Sequence, residues 1–170
     1  RLRGMFATEE DIFMDWESWI GGVGLTDMAF SPGQEFLAMV GNDVVRVIEP
    51  ITGTVVYTLY EPDGALPWAL AFSPDSQRLA AAFGAGDNDV HVWDLGTRTE
   101  LRFSGHSGWI TALAFSPDGQ TLASVSTDQT VGLWDLTGKV EPRRLQGNTD
   151  DVWVLAWSRD GQDLVTGAKD

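Results

Sequence analysis

The stretch Gly105–Asp135, GHSGWITALAFSPDGQTLASVSTDQTVGLWD, decides how this chain folds. It opens on Gly105-His106 and closes on Trp134-Asp135. Between them, apolar runs alternate with turn residues such as Ser116-Pro117-Asp118-Gly119 and Ser126-Thr127-Asp128. Runs of about 4–8 β-branched and apolar residues bounded by Ser, Pro, Asp and Gly predict strands joined by tight turns.

Outward from this stretch, the rest of the chain reads as weaker copies of it. Ala-Phe-Ser-Pro occurs at Ala29–Pro32, Ala71–Pro74 and Ala114–Pro117, and a looser copy stands at Ala156–Arg159. Phe30, Phe72, Phe115 and Trp157 are spaced by 42, 43 and 42 positions. Trp93-Asp94 and Trp134-Asp135 are 41 apart. A period of about 40–45 residues marked by Gly-His and Trp-Asp is the signature of a four-stranded propeller blade. The chain resembles the WD-repeat β-propeller family from about Leu25 to Asp170. The resemblance implies an all-β fold of four-stranded antiparallel blades.

The expected blades run near 25–60, 67–104, 110–146 and 152–170, the last with only its first two strands. That makes an open arc of about three and a half blades. Such an arc cannot close a ring, so the expectation is a fragment of a longer array, seven blades by the resemblance. Closure through a second copy and an arc that stays open are the alternatives. Expected strands include Val140–Leu145 in the third blade. Residues 1–24 fall outside the clean repeat, being both acidic and apolar, and Asp11–Trp16 reads as an outer strand or a short amphipathic helix.

Composition narrows the function classes. The 170 residues carry a formal net charge of −14, which disfavours nucleic acid and anionic membrane surfaces as partners. No apolar run approaches the roughly 18–20 residues of a membrane span. Cysteine is absent, which excludes disulfides, thiolate metal sites and a cysteine nucleophile. There is no signal-peptide pattern, and a cytoplasmic setting is the expectation.

Within the third blade the resemblance implies a hydrogen-bonded tetrad of His106, Ser124, Asp128 and Trp134, with Ser126 replacing Ser124 if the register slips. An indole N–H and an imidazole need partners when buried, and a carboxylate accepts from several donors at once. The same residue types suggest a catalytic triad, but a triad is defined by geometry, and phase with the repeat favours a structural network. The other blades depart from this pattern. The His106 position holds Asp63 in the second blade and Asn148 in the fourth, and the Ser124 position holds Ala81 and Thr166.

The remaining motifs read as structure. His91 stands two before Trp93 and is expected to pack on the Trp side of its strand. Asp87-Asn88-Asp89 lacks the further ligands of a calcium loop. Thr137-Gly138-Lys139 lacks the earlier glycine of a phosphate loop. No metal site and no cofactor are expected.

Two positions recur six and four residues before the Phe30/Phe72/Phe115/Trp157 mark. They hold Leu66 and Trp68, Trp109 and Thr111, and Asp151 and Trp153. The resemblance places these, with the residue before the turn aspartate (Thr127 and Lys169), on the face where peptides and partner proteins dock. Trp68, Trp109 and Trp153 would form an aromatic platform, because tryptophan combines large area with a polar N–H. Packing between blades is the alternative use of each indole. The acidic balance points to a basic or polar partner segment.

The expected function is a non-catalytic protein–protein interaction scaffold within a larger chain, one carrying further blades or fused domains such as a kinase. A propeller-type hydrolase or quinone-dependent dehydrogenase is the alternative, with its site in another part of the ring.

Overall fold

A computed structural model describes residues 27–41, 44–60, 67–84 and 86–169. The expected strand or helix at Asp11–Trp16 lies outside these residues. Among the described residues the structure is all-β, with fourteen strands and no helix. The first sheet contains β1 (Asp27–Phe30), β2 (Leu37–Gly41), β3 (Val44–Ile48) and β4 (Val55–Tyr60). The second contains β5 (Pro67–Phe72), β6 (Arg78–Phe83), β7 (Val90–Asp94) and β8 (Glu100–Phe103). The third contains β9 (Ile110–Phe115), β10 (Thr121–Ser126), β11 (Val131–Asp135) and β12 (Arg143–Leu145). A two-stranded sheet of β13 (Val152–Trp157) and β14 (Leu164–Ala168) follows. Every pairing is antiparallel and every sheet runs in chain order.

Turn chemistry explains the recurring Ser-Pro motif. The hydroxyls of Ser31, Ser73, Ser116 and Ser158 accept the backbone N–H of Phe36, Arg78, Thr121 and Asp163 at 3.0, 2.8, 3.0 and 2.9 Å. In the last three turns Asp75, Asp118 and Asp160 accept that hydroxyl's own proton at 2.5, 2.6 and 2.7 Å. These serine bonds come first among the causes that hold the three carboxyls below their ordinary value. One residue in each turn is left-handed: Gln34, Ser76, Gly119 and Gly161, at φ 59, 61, 67 and 71°. Proline presets φ for the turn, and the Ser and Asp side chains replace backbone partners.

One expectation is corrected here. β12 spans Arg143–Leu145, not Val140–Leu145. The Asp135 carboxylate accepts the N–H of Lys139 and Val140, both at 2.6 Å, which holds Val140 in the turn. Pro142 then has no N–H to offer a ladder, so pairing starts after it.

Side chains alternate across each strand, so every sheet has two faces. At each junction a face of small residues meets a face of large ones. Ala38, Val40, Val45 and Val47 receive Leu70, Leu79, Phe83 and Trp93. Ala69, Ala80, Ala82 and Val92 receive Leu113, Phe115, Leu122 and Trp134. Val125 and Val131, with Ala112 and Leu133, receive Val152, Leu155 and Leu164. Fully burying one Val, Leu or Phe contributes about 1.5–3 kcal/mol, so these interleaved layers are the main cohesive term. Polar contacts fix their registry. Leu70 N–H donates to Asp27 Oδ2 at 2.9 Å, and Trp157 Nε1 donates to the Ala114 carbonyl at 3.1 Å.

Candidate docking rim and its supporting network

In the third sheet, β10 and β11 place Ser124 directly opposite Gly132, two residues before Trp134. Gly132 leaves the space that the indole occupies. A Cβ there would stand 2.5 Å from Trp134 Cζ2 and 2.7 Å from Ser124 Oγ. Trp134 Nε1 donates to Ser124 Oγ at 2.8 Å, and Ser124 Oγ lies 2.7 Å from His106 Nε2. His106 Nδ1 lies 3.0 Å from Asp128 Oδ2. A carboxylate only accepts, so Nδ1 carries the proton and Nε2 accepts from Ser124. The protons therefore point one way, from indole to serine to imidazole to carboxylate.

Electrostatics agrees with this polarity. Burial, the largest influence, pushes the His106 imidazole below its ordinary value despite the Asp128 bond and charge, and so favours the neutral ring. Burial alone would raise the Asp128 carboxyl. Bonds from Thr130, the Ser107 amide and His106 outweigh it and hold the group at about 2. Thr130 Oγ1 donates at 2.5 Å and the Ser107 amide at 2.8 Å. Ser126 is elsewhere, accepting the Asp128 amide at 3.0 Å.

This network ties the loop before β9 to the β10–β11 turn, and the loop carries Trp109. Thr127 N–H donates to the Trp109 carbonyl at 2.9 Å, and Trp109 N–H donates to Thr127 Oγ1 at 3.0 Å. The two backbones touch because residue 108 is glycine. A Cβ there would lie 2.6 Å from Thr127 Oγ1 and 2.8 Å from the Asp128 nitrogen. Held this way, the Trp109 indole remains 53% exposed. Trp68, from the neighbouring sheet, is 46% exposed, and the two rings lie 6.5 Å apart, tilted by 45°.

The other rim positions divide. Trp153 is exposed, and no ring contact joins it to Trp68 or Trp109 among the described residues. Asp151 is half-buried and Lys169 exposed, while Leu66 lies outside the described residues. Thr111 directs its hydroxyl to the carbonyls of Val125 and Val152, bridging the third sheet to the fourth.

Arg144 belongs to this network and escaped the sequence reading. It stands opposite Gly132 on β12, and its guanidinium donates to Asp128 Oδ2 at 2.7 Å and to Thr130 Oγ1 at 3.0 Å. Arg102 has the same role in the second sheet, reaching Asp89 at 2.8 Å and Asp87 at 3.3 Å. The two arginines are 42 positions apart, in phase with the repeat, which is the signal that would have found them.

His91 is buried, packed against Phe83 and stacked on Trp93 at 5.7 Å. Its ring nitrogens face Glu100 Oε1 at 2.6 Å and Asp87 Oδ2 at 3.0 Å. Asp87 and Asp89 are thus engaged by side chains of their own sheet. No group of His, Asp and Glu suited to a metal occurs among the described residues. No helix among them is long and apolar enough to cross a membrane.

Meandering four-stranded sheets, each seating its large face on the small face of the one before, define a propeller-type repeat protein. The family model described as "WD domain, G-beta repeat" matches residues 53–94, 97–135 and 140–170. The chain belongs to the WD-repeat family. It is 39% identical to coronin-7 of Bos taurus over 64% of its own length and 14% of that protein's. It is 30% identical to the 66 kDa stress protein of Physarum polycephalum, over 76% of the chain and 23% of that relative. To periodic tryptophan protein 2 of Saccharomyces cerevisiae it is 36% identical, over 56% and 10%. The chain therefore spans less than a quarter of the length of each.

Proposed function

We propose that this chain is a non-catalytic protein-interaction scaffold whose docking surface is the loop rim carrying Trp68 and Trp109, with Thr127, Asp151, Trp153 and Lys169 around it. The observation that carries the reading is the Trp68–Trp109 pair. Two indoles from neighbouring sheets touch, yet each remains about half exposed. The Thr127 clasp fixes the Trp109 backbone, and Trp68 is the bulged residue of β5, held between Pro67 and Ala69, which both pair with β6. A rigid aromatic pair of this kind loses little conformational entropy when a partner covers it.

The partner suited to this rim is a basic or polar peptide segment. A net charge of −14 attracts it, and the indole faces accept a cation. Membership in the WD-repeat family supports a scaffold, and a cytoplasmic setting fits the same reading. Titration with an arginine- and lysine-rich peptide, followed by indole fluorescence, tests it. Trp109→Ala is expected to weaken binding about tenfold or more while the melting temperature falls by no more than about 2–4 °C. Equal binding by the wild type and by a Trp68→Ala/Trp109→Ala variant would remove the rim from consideration.

A further inference from the structure

Among the described residues the three complete sheets each end in an outer strand paired on one side only, and the three edges differ. β8 carries Glu100 and Arg102, and β12 is three residues long with Arg143 and Arg144. Charge and brevity are the usual protections against an added strand. β4 reads VVYTLY over six residues and carries no charge. A bulge at Val56 interrupts its pairing with β3, so the regular edge is Tyr57–Tyr60.

That portion of β4 borders a cleft of about 250 Å³ between the first two sheets, lined by residues 56–59 and 93–95 and by Arg98, with Asp94, a carboxylate, among them. The Arg98 guanidinium lies over the Tyr57 ring, 5.5 Å from its centroid, and Tyr57 is anchored through its hydroxyl to the Leu95 carbonyl. No carboxylate lies within ion-pair distance of Arg98 among the described residues. Asp94, beside it, turns Oδ1 back to the Gly96 and Thr97 amides at 3.0 and 2.7 Å. Arg98 is also left-handed at φ 61°, where the corresponding turns of the first and third sheets use Gly53 and Gly138. A side chain here costs backbone stability that glycine would spare.

We propose that the β4 edge is a second docking site, separate from the tryptophan rim. It takes an extended partner peptide as an added strand, an apolar side chain filling the cleft and an acidic side chain meeting Arg98. Backbone pairing supplies affinity, and the cleft and guanidinium supply selectivity. Charge complementarity selects the occupant. Arg98 pairs with no carboxylate among the described residues, so an acidic side chain has a favourable local contact there although the chain as a whole, at a net charge of −14, is acidic.

The test uses the 170-residue chain and a fluorescein-labelled peptide of alternating valine and glutamate, with a lysine version as control. Saturable anisotropy is expected for the glutamate peptide only, and N-methylating alternate peptide amides should abolish it. Arg98→Glu should weaken glutamate-peptide binding by about tenfold or more and favour the lysine version. Arg98→Gly should also weaken binding while raising the melting temperature by about 2–4 °C. That opposite movement of binding and stability is what a purely structural Arg98 would not produce. Binding indifferent to Arg98→Glu or to N-methylation would overturn the proposal. So would β4-dependent self-association, lost in Thr58→Lys, with no peptide bound.

Discussion

The second and third sheets share topology and a third strand ending in Trp-Asp, yet fill the space beside their tryptophan in opposite ways. In the third, Ser124 faces Gly132 and the imidazole arrives from the preceding loop as His106. In the second, Ala81 faces His91 and the imidazole rises from within the sheet. The third sheet's solution excludes the second's sterically, because residue 132 has no room for a side chain beside Ser124 and Trp134. What the two share is an outer-strand arginine clamping a turn aspartate, Arg102 to Asp87 and Arg144 to Asp128. The consequence is mechanical. His106 fastens the approaching loop to the third sheet, and among the described residues His91 reaches Asp87 and Glu100 of its own sheet.

The largest expected effect separates the two tryptophans. Trp134→Ala should cost about 3–5 kcal/mol in urea unfolding, through a cavity and stranded partners. Trp93→Ala should cost less, since that ring is 8% rather than 1% exposed. Next is Ser124→Ala, which strands the indole N–H and should cost about 1–3 kcal/mol, whereas Ala81→Ser adds a buried hydroxyl beside His91 and should also destabilise. Calorimetry on both variants checks whether the two fillings are exclusive.

Acid should act on the third sheet in two stages. The His106 pKa is lowered on folding, so its contribution is present above the ordinary value of 6.5 and declines as pH falls below it. The Asp128 carboxyl is held at about 2 against an ordinary 3.8, so its contribution is lost as pH falls from about 4 toward 2. After allowance for solvent screening, the second stage is worth roughly 1–2 kcal/mol. Asp128→Asn should flatten that lower stage in a pH series of urea midpoints. The smallest effect belongs to the rim, where Trp109→Ala should change stability by no more than about 0.5–1 kcal/mol. A loss comparable to that of Trp134→Ala would mean that the exposed indole is a packing residue.

Much of this was legible because the repeat is in phase. The Phe30/Phe72/Phe115/Trp157 spacing located the first strands, and Ser-Pro marked the turns that follow. The tetrad residues were named from family resemblance, and His91 from its place before Trp93. Less legible were contacts that depend on register across strands. Arg144 faces Gly132 only because the β11–β12 pairing sets it there. The short β12 was misread because a carboxylate competed for the Lys139 and Val140 amides, and alternation along the strand carries no trace of that competition.

By itself the sequence determined the kind of architecture, since a period of about 40–45 residues with strand-length apolar runs has few other solutions. It also determined where the turns fall, because proline, serine and aspartate act on their own neighbours. Only the tertiary structure decided which indoles are buried. Trp134 and Trp109 are the same residue type within one repeat, and their difference depends on what the adjoining sheet and loop bring beside them. It likewise decided that Trp68 and Trp109 touch, because that contact spans two sheets whose spacing is set by small faces receiving large ones.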